Sequence, residues 1–285
     1  MKSLKGIIAL LLTLLLTLSS LCALSEGEEW ICPDCGGTNT SNFCGQCGAP
    51  RPETPAFRHE GEGFDSPEAA VTCYMEGIRD LDFDRMLSAF AWETQMKHYD
   101  FRADFESTRV YSYTKRPRIP SDNPLVFSAN VNSLRAAQTD MIYMALEKYI
   151  LGDDFPEAPV MFEKDTDELD VFLQKFENGR LEQLSRMTNI RCADPDELSG
   201  GQIFAGRNAE TFARWSAVYG ADETVNLIGM ADVGEETLLC CPTICRYGDR
   251  WYLVSANSFA STLFGIPVEQ QAFVCGPGSP LDLIH

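Results

Sequence analysis

Four cysteines are spaced to do chemistry. Cys32 and Cys35 form one Cys-x-x-Cys pair and Cys44 and Cys47 a second, closed by Gly36 and Gly48. The second pair repeats the first at an offset of twelve, with Ile31 and Phe43 just ahead of the leading cysteines. Such a turn presents two thiolates to one ion, and the glycine tolerates the left-handed backbone that closes it. Two turns complete a tetrahedral shell of four thiolates. The expected cofactor is therefore one structural zinc ion held by Cys32, Cys35, Cys44 and Cys47, with no ligand position open to a reacting water. The rival state of these thiols is a pair of disulfides, formed in an oxidising compartment. Paired turns with glycine closures favour the metal. A redox Cys-x-x-Cys usually occurs once, in a βαβ setting that is not seen around these residues.

The elements around the cysteines are small. Eight residues, GGTNTSNF, separate the pairs, enough for a hairpin or loop. Trp30, Ile31 and Phe43 are the only sizeable apolar side chains between Trp30 and Pro52, so the metal must supply most of the folding energy, on the order of 10–16 kcal/mol in zinc peptides. The strings CPDCG and CGQCG resemble the short bacterial zinc-ribbon family over residues 30–52. Glu26, Glu28, Glu29 and Glu53 flank this stretch, with Arg51 its nearest basic residue. That sign is wrong for phosphate, so nucleic acid is not an expected partner.

Residues 1–25 read as an export signal. Lys2 and Lys5 precede an apolar run from Gly6 to Leu24, and Ala23-Leu24-Ser25 offers small residues for cleavage. The run is also nearly long enough to remain as a membrane anchor. Cys22 follows Leu21, which is too large for the usual lipobox. The expected location is extracytoplasmic, secreted or anchored, with membrane contact only through this segment. Cleavage would take the net charge from -19 to -21, because Lys2 and Lys5 are the segment's only charged residues. So acidic a chain stays soluble and repels anionic surfaces.

Residues 53–65 (ETPAFRHEGEGFD) lack apolar periodicity and read as a linker, with His59 a surface residue in it. From Ser66 the pattern turns helical: Ser66 caps, Pro67 opens, and Val71, Tyr74, Met75, Ile78 and Leu81 recur at helical spacing. A second helix starts at Asp82 or Asp84 and carries Met86, Leu87 and Phe90. Residues 108–124 read as a loop with a small basic cluster, Lys115, Arg116 and Arg118. Helices are expected over 134–151, with Met141, Ala145, Leu146, Tyr149 and Ile150 inward, over 166–178, and over 208–219. The last third switches to period two. Residues 224–231, 237–247 and 251–257 read as a three-stranded antiparallel meander, with a turn at Gly248-Asp249 and a disruption at Pro242. A short turn or helix over 258–265 ends the domain, and residues 266–285 read as a loose tail.

The expected fold class is α+β: signal segment 1–25, zinc ribbon 30–52, linker 53–65, and a domain over 66–265 with helices first and antiparallel strands last. The opening SPEAAVTCYMEGIRDLDFDRMLSAF and the closing YGDRWYLVSANS are similar to the nuclear-transport-factor-2-like superfamily. That resemblance implies N-terminal helices packed across a curved sheet.

Other signals carry less chemistry. Leu198 to Gln202 spells LSGGQ, the ABC-ATPase signature, but the chain has no G-x-x-x-x-G-K-[ST] to hold a nucleotide. Cys73, Cys192, Cys240, Cys241, Cys245 and Cys275 read as small buried hydrophobes, with a long-range bridge to Cys275 left open. His98 stands among Lys97, Tyr99, Asp100 and Asp104 on a charged face and reads as a surface histidine. No catalytic residue is assigned. The leading function is a non-catalytic binding or scaffolding module at the cell surface with a protein partner. The alternative is an enzyme or small-ligand binder with a pocket in the α+β domain.

Overall fold

A computed structural model describes residues 30–49, 59–109 and 118–283, apart from residues 33, 42, 157, 165, 194–197 and 199–206. The expected signal segment lies outside the described residues. The chain divides into two compact units, 1–57 and 58–285, and it mixes helices with antiparallel sheets.

In the first unit, β1 (Trp30–Ile31) pairs antiparallel with β2 (Thr38–Asn39), Trp30 opposite Asn39 and Ile31 opposite Thr38. The interior is two sulfurs and a methyl group: Cys32 and Cys44 are buried with Ala49 against them. Ile31 and Phe43 are exposed.

The second unit opens with α1 (Pro67–Asp80). The Ser66 hydroxyl accepts the Ala69 N–H at 3.2 Å, and Pro67 stands where a helix has no use for an N–H. Val71, Tyr74, Met75 and Ile78 are buried, as their spacing predicts, each worth about 1.5–3 kcal/mol. Leu81 differs from expectation: it is the left-handed C-cap (φ 53°) and faces solvent. Asp82 then caps α2 (Phe83–Ser88), and α3 (Glu93–His98) and α4 (Phe101–Thr108) follow.

The longest helix among the described residues, α5 (Pro124–Leu151), begins ten residues before the expected 134. Asn123 caps it by accepting the Leu125 N–H at 2.9 Å, with Pro124 at the first position. Its buried face is Val131, Leu134, Gln138, Ile142, Ala145 and Tyr149. Met141 and Ile150, expected inward, sit at the edge of that stripe. After α6 (Glu168–Gln174), strand β3 (Met187–Ala193) and α7 (Arg207–Tyr219), strands are the main regular structure.

Each of the first two expected strands is divided. Residues 223–233 form β4 (Glu223–Asn226) and β5 (Ile228–Val233), and residues 236–247 form β6 (Glu236–Cys240) and β7 (Thr243–Tyr247), parted at Cys241-Pro242. Proline has no N–H to continue the ladder, so the strands break there. With β8 (Arg250–Ser255) and β9 (Val274–Pro277) they make two antiparallel sheets, β3-β5-β6-β9 and β4-β7-β8. The β7–β8 hairpin turns at Gly248 (φ 64°) and Asp249, as the sequence predicts. α1 packs on β3 and β8, and Tyr74, Phe90, Trp92 and Phe273 are among the largest side chains in the core. Among the described residues no helix is long and apolar enough to cross a membrane.

Two expected irregular stretches are ordered parts of the second unit. Within the region 266–285, expected as a loose tail, residues 266–283 supply β9 on β6 and bury Ala272 and Phe273. Residues 59–65, in the expected linker, are bonded to this unit as well. The Glu60 carboxylate accepts the Thr94 N–H at 2.9 Å, which caps α3 where Trp92 offers no side-chain cap. Phe64 exchanges two backbone hydrogen bonds with Trp251, and Asp65 pairs with Arg250.

Candidate metal centre

The two cysteine turns share one backbone geometry. In the first, the Gly36 N–H donates to Cys32 O at 2.8 Å and the Cys32 N–H donates to Gly37 O at 2.9 Å. In the second, the Gly48 N–H donates to Cys44 O at 2.9 Å and the Cys44 N–H donates to Ala49 O at 2.7 Å. Gly36 (φ 73°) and Gly48 (φ 75°) are both left-handed. A side chain disfavours that region, which is why glycine follows each pair.

These turns bring the four thiols together. Cys32, Cys35, Cys44 and Cys47 have their Sγ atoms within 4.8 Å of one another. Cys32 and Cys47 lie 3.5 Å apart, and Cys35 and Cys44 lie 3.4 Å apart. A disulfide would need about 2.05 Å. The edge of a tetrahedron with metal–sulfur bonds of about 2.3 Å is roughly 3.8 Å. The observed separations fall near the second value and far from the first, so the residues fit a tetrahedral ion.

Electrostatics points the same way. The Cys44 sulfur faces the Cys47 and Gln46 backbone N–H groups, the latter at 3.4 Å, and its pKa is brought down to about 6. Cys35 receives the Gly37 N–H, yet the Cys44 and Cys47 thiols beside it push it up to about 12. Four thiols in contact compete for protons, and only a cation lets all four ionise together. Asn39 joins the halves: its amide donates to Gly37 O at 2.7 Å and accepts the Gly45 N–H at 2.8 Å.

The other described cysteines are free thiols dispersed through the second unit; Cys22 lies outside the described residues. Cys240, the last residue of β6, and Cys241 just beyond it enter different apolar clusters, as side chains alternating along an extended chain do. Cys275 donates to the Glu236 carboxylate at 3.4 Å and bridges to no other cysteine among the described residues. Burial pushes the Cys241 and Cys245 thiols up to about 12.

His98 is exposed; its Nδ1–H donates to Thr94 O at 2.8 Å and its ring lies on Tyr247. It lines neither cavity described below. His59 accepts a hydrogen bond from Arg135 at 2.7 Å, which holds this expected surface residue on the second unit. Lys115, Arg116 and the SGGQ of LSGGQ lie outside the described residues. Arg118, the third member of the basic cluster, is half-buried.

Among the cavities in the described residues of the second unit, two carry polar walls. One, of about 360 Å³, lies beside α5 and β9; Lys148 and Arg180 at its wall are engaged by Gly152 O (3.1 Å) and Glu236 (3.0 Å). The other, of about 290 Å³, is enclosed by α7, the β4-β7-β8 sheet and α8 (Phe259–Leu263). Within it, both the Nδ2 and Oδ1 atoms of Asn226 are buried without a hydrogen-bond partner among the described residues. Leaving such a group unpaired costs about 1–3 kcal/mol. The sequence does not disclose this cavity, because its residues are ordinary strand and helix positions scattered from 212 to 262.

No protein-family model matches the chain, and no curated protein does. A solved structure of a cystatin-like protein from Ruminococcus gnavus ATCC 29149 is similar to it at a TM-score of 0.40 and 15% identity, over 65% of this chain and 38% of that one. The chain spans well under half the length of that protein.

Proposed function

We propose that this is an exported zinc-ribbon protein. Its ribbon carries one structural zinc on Cys32, Cys35, Cys44 and Cys47, and its second unit serves as a non-catalytic binding or scaffolding module with a protein partner at the cell surface. The observation that carries the metal reading is the convergence of four Sγ atoms from two equivalent glycine-closed turns. Four thiolates in a tetrahedron suit zinc, which has no redox chemistry and needs no open position. Bound there, the ion supplies folding energy to a unit whose interior holds little besides two cysteines. The polar, acidic charge balance and the Lys-led apolar N-terminus support export. Helices followed by antiparallel strands support kinship of the second unit with the nuclear-transport-factor-2-like superfamily.

Metal analysis of protein purified under reducing conditions tests the zinc reading, with about one zinc per chain expected. A content near zero, with all four thiols in disulfides, would overturn it. Protease added to intact cells without an outer barrier tests export and should cleave the ribbon. Protection until lysis would reverse the topology.

The second reading, a small-ligand binder, is favoured by the cavity around Asn226.

A further inference from the structure

Beyond the metal site, the second unit holds a polar cavity with an unanswered side chain. Its floor is a row across the β4-β7-β8 sheet, Asn226 opposite Thr243 and Thr243 opposite Ser255. Such a row, under a helix, would ordinarily be apolar. Asn226 is only 7% exposed, and neither its N–H₂ donors nor its carbonyl acceptor is used by the described residues. Its neighbours are committed as donors. Thr243 gives its hydroxyl proton to Asn257 O at 2.8 Å, and Ser255 gives its own to Asn257 Oδ1 at 2.6 Å. Thr243 therefore keeps its lone pairs for the cavity, and Ser255, which also accepts the Asn257 N–H at 3.4 Å, keeps one. One wall joins rings to a cation: Trp215 and Tyr219, one turn apart on α7, stack at 5.6 Å and 18°, and the Arg214 guanidinium lies 5.6 Å from the Trp215 ring centroid.

We infer that this cavity is a binding site for a saccharide ring. An acceptor-rich floor calls for a ligand with several O–H donors, and the Asn226 amide calls for a donor and an acceptor on adjacent atoms. Vicinal hydroxyls supply both. A sugar's C–H face suits an aromatic wall that also offers polar edges. A carboxylate would meet the same lone pairs unfavourably, and Arg214, the cation at the wall, is already turned onto the Trp215 ring. A single amide could satisfy Asn226 but would leave Thr243 without a donor. The volume, about 290 Å³, lies at the small end of ligand pockets and suits one or two rings.

The test is ligand-observed NMR and calorimetry on the full chain with the methyl pyranosides of glucose, galactose, mannose and N-acetylglucosamine. At least one should bind, with a dissociation constant in about the millimolar range or tighter. Asn226→Leu, similar in volume, should weaken it by about tenfold or more, and Trp215→Ala, at the cavity wall, should do the same should the first variant fail to fold. The Cys32→Ser/Cys35→Ser double variant should bind as the parent does, which separates this site from the metal reading. Failure of all four sugars to bind, or unchanged binding by either cavity variant, overturns the inference. So does a thermally stabilised Asn226→Leu protein whose parent binds no sugar, the result expected if water alone satisfies the amide.

Discussion

The Asn39 side chain accepts the Gly45 N–H at 2.8 Å while its amide donates to Gly37 O at 2.7 Å, so one residue of β2 spans both cysteine turns. Cys32 donates to that same Gly37 oxygen, which lies just beyond Cys35, and Gly45 lies just after Cys44. Asn39 thereby fixes the distance between the two thiol pairs. Groups that orient metal ligands in this way typically change affinity by about 10–100-fold when removed. Asn39→Ala should weaken zinc binding by about that factor, read by competition with a chromophoric chelator. Unchanged affinity would mean that the cysteine turns are self-sufficient.

The buried thiols make the second unit sensitive to alkali. Cys241 and Cys245 are held at about 12 against an ordinary 9.0, by burial. An acid whose folded pKa is raised contributes fully below its unfolded pKa and loses that contribution as pH rises, because only the unfolded chain sheds the proton. Each such thiol costs about 1.4 kcal/mol per pH unit above about pH 9. Under reducing conditions the unfolding midpoint should fall by several degrees between about pH 8.5 and 10.5. A midpoint that holds or rises would show that these thiols are solvated.

Metal should stabilise the first unit alone. Whatever must be folded to hold the ion is what the ion stabilises, and the cysteines all lie in the unit 1–57. Replacing Cys32 and Cys35 with Ser should abolish structure in residues 30–49. The main calorimetric transition of the second unit should move by less than about 5 °C, a shift worth around 1–2 kcal/mol. A larger drop would mean that the two units fold together.

The parts legible in the sequence were those set by local chemistry. The Cys-x-x-Cys-Gly turns, the Ser66-Pro67 helix start and the Gly248-Asp249 turn each depend on a few adjacent residues. Long-range partners decided the rest. Glycines and prolines mark 276–280 as irregular, yet Val274 to Pro277 finds an open edge on β6. Glu60 looks like linker charge until Thr94, thirty-four positions away, offers it an N–H. Strand β3, over Met187–Ala193, was hidden by a register shift between Thr188 and Arg191 that breaks its alternation. The Asn226 cavity was illegible for the same reason: cross-strand neighbours do not announce themselves in order.

The central claim is that four cysteine sulfurs surround one zinc ion. X-ray absorption at the zinc edge, on protein purified under reducing conditions without added metal, tests it most directly. The account predicts a single shell of four sulfur scatterers at about 2.3 Å, with no nitrogen or oxygen neighbour. A shell containing oxygen or nitrogen, or protein carrying no zinc with its ribbon thiols joined in disulfides, would contradict it.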